Sequence, residues 1–569
     1  MDGSNAALEA VGACPRQQIR RPVKALSFEV AHHVKAYLDH KHYEQAYIFL
    51  HSLLAAGSSI SVPAKPYVGL LAPAAHLALA STLVVYPPTS TRATSADARQ
   101  GSDAALRYLR CVHDTIRGPG YKTVKDAFSF THTRRRGVAS AAANHVERLD
   151  VERLDTLAAN AHSLWQRAED FWHVIGWAFN CAAIHKLRWE RWRLWLDVTL
   201  DFLEADWDDC AKYGAQEPTE RDAMLQDTLI WRYISSQDPA ISNTRRRIIK
   251  AIFAVGDAQS LQQYPEVWDK ETMEAKPPDA KSETIGLVDF ENENDGDYMS
   301  DDEDTVMINA PRRAAGGRSS KNPLSASMPS LEDAFTGDYN AAVQKLGGID
   351  AVDLRQRFVA LLMKVAKDLP AHFTSPEGLL DTLTQQVRYF STPVLSVLIT
   401  TSRLSPHHQL AFNVNLTIPL TSKRYPEYTT EAPTQSDLET LLLPCRARTQ
   451  SYVANAKLSL LQEQVFLYMM GEELIEATSS LRQAMETGIE ERHKVHGIGG
   501  IKANLEEEEH GKTLMAASSG RLLSLLEVLE MSAGKPPRPR KEKNKSEPLL
   551  SSFGSSLSPA PESETDDDD

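Results

Sequence analysis

Residues 171–207 read FWHVIGWAFNCAAIHKLRWERWRLWLDVTLDFLEADW, and this stretch decides the fold. Its first part is apolar at nearly every position. Its second part leaves a single polar stripe, which consists of Glu190, Arg193, Asp197, Asp201 and Glu204. A helix with so narrow a polar stripe must be covered on its other sides. The pattern therefore predicts two helices, over about 163–184 and 187–207, inside a multi-helix array.

Three positions interrupt the first apolar helix, at His173, Gly176 and Asn180. Their spacing of three and four residues places them on one narrow stripe. We interpret His173 and Asn180 as core side chains whose hydrogen bonds are satisfied within the protein. The alternative is that the two form a functional polar pair.

Helical periodicity extends over much of the remaining chain, with weak β-prone character only at 411–420. Further helices are predicted over 103–118, 221–236, 243–255, 351–369, 376–402 and 452–531. No fixed repeat period is visible, which argues against regular repeats. The predicted fold is mainly α, an irregular, solenoid-like helical array in two ordered regions separated by a disordered acidic linker.

Shifts in composition predict five segments along the chain. They are a flexible N-terminus (1–23), a Trp-rich helical domain (24–268), a disordered acidic and Ser-rich linker (269–335), a second helical domain (336–531) and a disordered tail, basic and then acidic (532–569). All nine tryptophans fall between Trp165 and Trp268, which places the best-defined core in the first helical domain.

Residues 24–55 have the pattern of a helical hairpin with a short polar turn from Asp39 to His42. The string YLDHKHYEQAY, residues 37–47, resembles the LisH motif, a small helical dimerisation module. That family usually has Gly before the second aromatic residue, where this chain has His42. The resemblance covers residues 27–54 and implies a homodimer. Without it, the same pattern describes an ordinary first hairpin of a helical domain.

Charge, cysteine content and hydropathy restrict the class of protein. The net charge of -14 should repel a phosphate backbone, so we do not expect direct nucleic-acid binding. The five cysteines are scattered without a CxxC pair, which favours a reduced, intracellular setting. The longest apolar run, 171–184, is shorter than the about 20 residues of a membrane helix, so no membrane association is expected.

No sequence motif of a known catalytic site is present: the chain lacks HExxH, GxSxG and GxxxxGK[ST] patterns. We therefore expect no enzyme activity, no cofactor and no metal site. An enzyme whose catalytic residues are dispersed along the chain remains an alternative, because such a site leaves no local pattern.

A basic tract interleaved with proline lies near the C-terminus. It consists of Lys535, Arg538, Arg540, Lys541, Lys543 and Lys545. An extended basic chain of this kind is readable by an import receptor, so the tract predicts nuclear import. A solvated spacer or a nucleic-acid arm would have the same composition, but no aromatic residue is present for base stacking.

The acidic segment, residues 283–304, contains ten Asp and Glu residues and no Lys or Arg. Ser300 lies just before three acidic residues, and Ser563 and Thr565 precede the acidic end of the chain. These three are candidate phosphosites for acidophilic kinases of the casein-kinase type. The alternative for the segment is a solvating spacer.

These features favour a non-catalytic nuclear scaffold or adaptor subunit of a multiprotein complex. Its expected partners are other proteins, an import receptor and a second copy of the chain. A cytoplasmic trafficking or cytoskeletal adaptor is the first alternative, and an enzyme with a dispersed site is the second.

Overall fold

The structure, a computed structural model, describes nine stretches of the chain. They are residues 20–62, 64–116, 120–130, 153–214, 220–235, 242–273, 331–421, 432–497 and 505–536. These stretches are predominantly helical, which confirms the predicted mainly α fold.

The helices before the acidic segment are α1 (Phe28–Asp39), α2 (Tyr43–Ala55), α3 (Ala74–Val85), α4 (Ala96–Thr115), α5 (Gly120–Ala127), α6 (Leu164–Arg167), α7 (Phe171–Ile184), α8 (Lys186–Gly214), α9 (Arg221–Gln226), α10 (Leu229–Ile234), α11 (Ser242–Ile252) and α12 (Ala258–Gln263). Two short strands, β1 (Val23–Ala25) and β2 (Gly69–Leu71), pair in parallel with Val23 opposite Gly69. The hairpin predicted over 24–55 is present as α1 and α2.

The helices after the acidic segment are α13 (Leu331–Lys345), α14 (Ile349–Asp368), α15 (Pro376–Val387), α16 (Thr392–Thr400), α17 (Pro406–Thr417), α18 (Gln435–Asp437), α19 (Tyr452–Gly471), α20 (Ser479–His493) and α21 (Leu505–Ser532). The β-prone interpretation of 411–420 is wrong. The segment is α17 followed by a 3-10 turn, because its side chains pack into a helical core that outweighs local strand propensity.

Several predicted helices are divided by caps that periodicity alone did not reveal. The helix expected over 163–184 is α6 and α7, since Asp170 caps α7 by accepting a hydrogen bond from the His173 amide at 2.8 Å. The helix expected over 221–236 is α9 and α10, with Thr228 as the second N-cap. The region 376–402 divides before Pro393, which lies in the first turn of α16.

The stripe interrupting α7 belongs to the core. A Cβ atom on Gly176 would lie 2.2 Å from the Tyr264 ring, so only glycine permits this contact. Asn180 accepts from the Gly256 amide at 2.9 Å and donates to the Ser260 carbonyl at 3.1 Å. His173 is the first residue of the same stripe. Its ring also has a hydrogen-bond partner, because Nε2 lies 2.9 Å from the Pro265 carbonyl oxygen. These contacts support the interpretation of His173 and Asn180 as core side chains.

Helix α14, which follows the acidic segment, packs on the Trp-rich helices that precede it. The ring of Phe358 lies 6.3 Å from Phe171, 6.4 Å from Trp172 and 6.3 Å from Phe179. One contiguous cluster of buried apolar residues extends from Val34 in α1 to Leu461 in α19. The boundaries of the two helical domains stay a prediction, but both contribute to this one core.

The polar stripe of α8 faces α14 and is not left to solvent alone. The guanidinium of Arg357 lies 3.1 Å from Asp197, 2.7 Å from Asp201 and 2.8 Å from Glu204. Only 10% of the Arg357 side chain is exposed, whereas the three carboxylates are between 31% and 45% exposed. The cation is therefore buried, and its acidic partners remain partly in contact with water. The stripe on α8 is thus only partly exposed: Glu190 lies in solvent, and a cation from beyond the acidic segment contacts the carboxylates of Asp197, Asp201 and Glu204.

We expect Arg357→Ala to lower the free energy of unfolding by about 1 to 3 kcal/mol, because a buried cation is removed from three carboxylates that water partly screens. Arg193→Ala is the matched control. Arg193 joins Asp350 at 3.0 Å across the same pair of helices, but both side chains are about half exposed. The control should cost less than about 1 kcal/mol. Urea unfolding measures both, and equal losses would contradict the assignment of Arg357 as the main electrostatic link.

Candidate protein-interaction site

Most of the residues proposed from sequence as sites lie outside the described residues. These are the candidate phosphosites Ser300, Ser563 and Thr565, the acidic segment, and Arg538, Arg540, Lys541, Lys543 and Lys545 of the basic tract. Lys535 is described, and its ammonium donates a hydrogen bond to the Ala477 carbonyl oxygen. The candidate site within the described residues is the N-terminal hairpin.

The inner face of the hairpin is already occupied by the chain itself. Its buried side chains are Val34, Leu38, Tyr43, Ala46, Tyr47, Leu50 and Leu54. They pack mainly against α4, where a Cβ atom on Gly101 would lie 2.7 Å from the Cβ of Tyr43. The hydroxyl of Tyr47 donates to the His76 carbonyl at 2.9 Å. A second protein cannot use this face without displacing α4.

The described part of the chain leaves the outer face of the hairpin largely open. We define the outer hairpin face as His33, Tyr37, Ile48 and Phe49. Ile48 is 48% exposed and Phe49 is 36% exposed. The ring of His33 lies 4.9 Å from Tyr37 and 6.1 Å from Phe49, so aromatic side chains of both helices meet there. Exposed apolar side chains of this kind are typical of protein-binding surfaces.

More exposed apolar residues lie near the open end of the hairpin. Of the 18 large hydrophobic residues that are exposed in the described chain, seven fall between residues 28 and 68. They are Phe28, Ile48, Phe49, Ile60, Val62, Tyr67 and Val68. This density over 41 residues distinguishes the hairpin region from the single exposed apolar residues elsewhere, which need no functional explanation.

A buried arginine fixes the open end of the hairpin. The guanidinium of Arg21 donates to the Ala56 carbonyl at 2.7 Å and also to the Leu54 carbonyl. These carbonyls end α2 and would otherwise lack a helical partner. The β1–β2 pair lies alongside and ties the start of the described chain to the segment after the hairpin. The exposed apolar residues therefore lie on a backbone that is held in place by the Arg21 hydrogen bonds and by the β1–β2 pair.

The turn of the hairpin shows where the chain departs from the LisH pattern. The residue with left-handed backbone is Lys41, at φ 62°, whereas His42 has φ -77°. The His42 amide donates to the Tyr37 carbonyl at 2.9 Å and ends α1. The left-handed residue of this turn is therefore a lysine, one position before His42.

Helical periodicity predicts the hairpin, but it does not indicate that Ile48 and Phe49 are exposed. The available signal was the composition of α2, YEQAYIFLHSLLA, which has apolar residues on more than one face. A helix of this kind needs a second covering surface. The exposed side of α2 could not be identified from sequence, because the sequence does not show that α4 covers only one side of this helix.

The most perturbed carboxyl group is engaged in structural contacts. Burial raises the pKa of Glu271 to about 7, against the opposing charge of Arg188. Arg188 lies 3.2 Å from this carboxylate and also donates to the Val85 carbonyl at 2.8 Å. The indole of Trp177 donates to the other carboxylate oxygen. The group joins α3, α7 and α8 to the segment after α12.

Two searches of the described residues give negative results. No three His, Cys, Asp or Glu side chains among them are placed to hold a metal ion. No helix in the described stretches is long and apolar enough to cross a membrane.

Comparison with known proteins finds no relative for this chain. No family model, no curated protein and no solved structure matches it.

We expect the stability of the protein to depend on the ionisation of Glu271. A carboxyl group with a pKa near 7 when folded and near 4.5 when unfolded binds its proton more tightly in the folded state. The free energy of unfolding should therefore rise by roughly 2 kcal/mol from this group as pH falls from 7.5 to 5.5. Glu271→Gln lacks the carboxyl group. The unfolding free energy of the wild type, relative to that of the variant, should therefore be about 2 kcal/mol higher at pH 5.5 than at pH 7.5. A difference independent of pH in urea unfolding would refute the raised pKa.

Proposed function

We propose that this protein is a non-catalytic scaffold or adaptor subunit of a nuclear multiprotein complex, and that the outer hairpin face binds another protein. The observation that carries the proposal is the exposure of Ile48 and Phe49, together with the contacts of the His33 ring with Phe49 and Tyr37. Leaving these apolar groups in water costs free energy that a partner would recover by covering them.

The division of the hairpin into two faces supports a docking role. The inner face joins the hairpin to α4, so the hairpin is part of the folded body and does not depend on a partner for stability. The outer hairpin face can then bind and release another protein without unfolding. A second copy of the chain is the occupant that the LisH resemblance implies, and it would have to use the outer hairpin face.

The contacts of two buried charged groups, Glu271 and Arg355, support the proposal of a binding role rather than catalysis. Glu271 contacts Arg188 and Trp177 within the core. Arg355 has no exposed surface, and it donates to the Ile252 carbonyl at 2.8 Å and the Ala254 carbonyl at 2.6 Å. Charged groups engaged in this way hold helices together and have no room for a substrate.

Replacing Ile48 and Phe49 together with Asp should remove bound proteins without unfolding the chain, because both side chains are substantially exposed. Val528→Asp is the control, since Val528 is 49% exposed on α21, at the other end of the chain. Tagged proteins are purified from cells and their partners quantified by mass spectrometry. We expect the amount of a specific set of co-purified partners to fall at least about tenfold with the double variant. The control should retain these partners.

An unchanged set of partners in the double variant would contradict the assignment of the outer hairpin face. Sedimentation of the purified chains tests the second copy as occupant: a wild-type dimer that the double variant converts to a monomer identifies the partner as the chain itself.

Nuclear localisation is tested through the basic tract. Replacing Lys535, Arg538, Arg540, Lys541, Lys543 and Lys545 with Ala should reduce the nuclear fraction of a tagged chain severalfold, because import receptors bind clustered cations. Fluorescence microscopy measures that fraction, and circular dichroism confirms that the helical content is unchanged. A variant that stays in the nucleus would remove this tract from the import mechanism, and a wild type confined to the cytoplasm would favour the trafficking or cytoskeletal adaptor.

A further inference from the structure

A basic cleft lies between α11 and α15. Its volume is about 240 Å³, and its lining residues are Arg246, Ile249, Lys250, Thr382, Gln385, Gln386, Arg388 and Tyr389. Three of these are cations and none is an acid. The cleft is open to solvent, since Arg246 and Arg388 are exposed.

The three cations of the cleft lack acidic partners among the described residues. Arg246, Lys250 and Arg388 form no ion pair there, whereas the adjacent Arg247 pairs with Asp170 and Glu169. Concentrating like charges without a counter-charge is unfavourable. In a chain of net charge -14, such a cluster is therefore suited to an anionic ligand.

Neutral contacts hold the cations toward the cleft. Arg246 donates to the Gln385 side-chain oxygen at 3.1 Å. The Arg388 guanidinium lies 4.5 Å from the centre of the Tyr389 ring and donates to its hydroxyl. The Arg388 carbonyl accepts from Lys457 at 3.2 Å, which fixes the backbone at this point. Such neutral contacts orient the guanidinium groups without cancelling their charge.

The volume of the cleft suits one or two carboxylate side chains rather than a folded partner. Planar guanidinium groups bind carboxylates with two parallel hydrogen bonds, and the neighbouring glutamine amides offer further donors. The ligand class is therefore an extended, carboxylate-rich peptide.

The chain itself contains such a peptide, the acidic segment, which follows Lys250 by 33 residues in sequence. The acidic segment, 283–304, begins ten residues after Met273, where the preceding described stretch ends. Nine intervening residues span up to about 30 Å when extended. On its other side the chain returns as α13, which packs along α16, and α16 begins three residues after Tyr389. Both ends of the connection are thus anchored on the folded body.

Tethering favours this segment over an external acidic protein. A flexible connection gives the attached segment an effective concentration in the millimolar range, so even weak binding fills the cleft. A separate acidic partner would meet the net negative charge of the whole chain before it reached three cations.

We propose that the acidic segment, 283–304, binds intramolecularly in the basic cleft formed by Arg246, Lys250 and Arg388. The contacts are between carboxylates and cations of which two are exposed and Lys250 is half-buried, so they weaken as salt rises. The segment then occupies the cleft and competes with any other acidic peptide that could bind there. This proposal does not depend on the outer hairpin face.

Zero-length carbodiimide cross-linking tests the proposal in the full chain, because it joins a lysine amine only to a carboxylate already in contact with it. We expect Lys250 to be joined to acidic residues of 283–304 within a single chain. The yield should be at least about fivefold above that at exposed Lys65, and it should be lost in 0.5 M salt, where the screening length is roughly 4 Å.

Charge reversal provides the matched comparison. Arg246→Glu with Arg388→Glu should lower the yield at Lys250 about fivefold, because each attraction becomes a repulsion. Arg99→Glu with Arg107→Glu makes the same change in net charge on two exposed arginines of α4 and should leave the yield unchanged. Thermal unfolding establishes that each variant is folded.

A second variant acts on the segment and leaves the folded body untouched. Changing Asp301, Asp302, Glu303 and Asp304 to their amides should lower the yield at Lys250 by a similar factor. Three results would each overturn the proposal: a yield at Lys250 no higher than at Lys65, cross-links from Lys250 to the acidic end of the chain, or cross-links only between two chains.

Discussion

The need to cover α7 on every side governs the architecture of this protein. The helix is apolar almost all round, and its polar interruptions are themselves hydrogen-bonded inside the core. Helices α8, α11 and α12 cover part of its surface, but Phe358 of α14 is also required. An apolar surface left in water at this one place would cost several kcal/mol, so the helices on both sides of the acidic segment form one packed structure.

Electrostatics reinforce the same junction in two ways. Arg357 forms ion pairs with three carboxylates of α8. The fully buried Arg355 donates to the carbonyls at the end of α11, and its guanidinium lies 4.2 Å from the Phe179 ring. Burying a guanidinium is costly unless each donor finds an acceptor. The carbonyls at the end of a helix provide such acceptors, which explains why this arginine is found where α11 stops.

Several helices could be predicted from sequence: periodicity located α1, α2 and α14 to within a few residues, and it placed the start of α8, although α8 continues seven residues past the predicted end at 207. The division of the longer predictions could not, because it depends on caps such as Asp170 and Thr228 that resemble ordinary polar positions. The stripe of α8 was recognised, but its partner Arg357 is 153 residues from Glu204 and leaves no local signal. Only part of the candidate site could be predicted from sequence. The hairpin was predicted, but which of its faces is exposed depends on how α4 packs.

The packing of Phe358 on Phe179 also affects how the chain is made. The two residues are 179 positions apart, since 358 minus 179 is 179. At about 5 to 20 residues per second, a ribosome needs roughly 10 to 40 seconds to proceed from one to the other. For that time the Trp-rich helices of the nascent chain lack their last covering helix. The growing polypeptide therefore exposes an apolar, aromatic surface during synthesis. General chaperones that recognise such surfaces can bind it throughout this time.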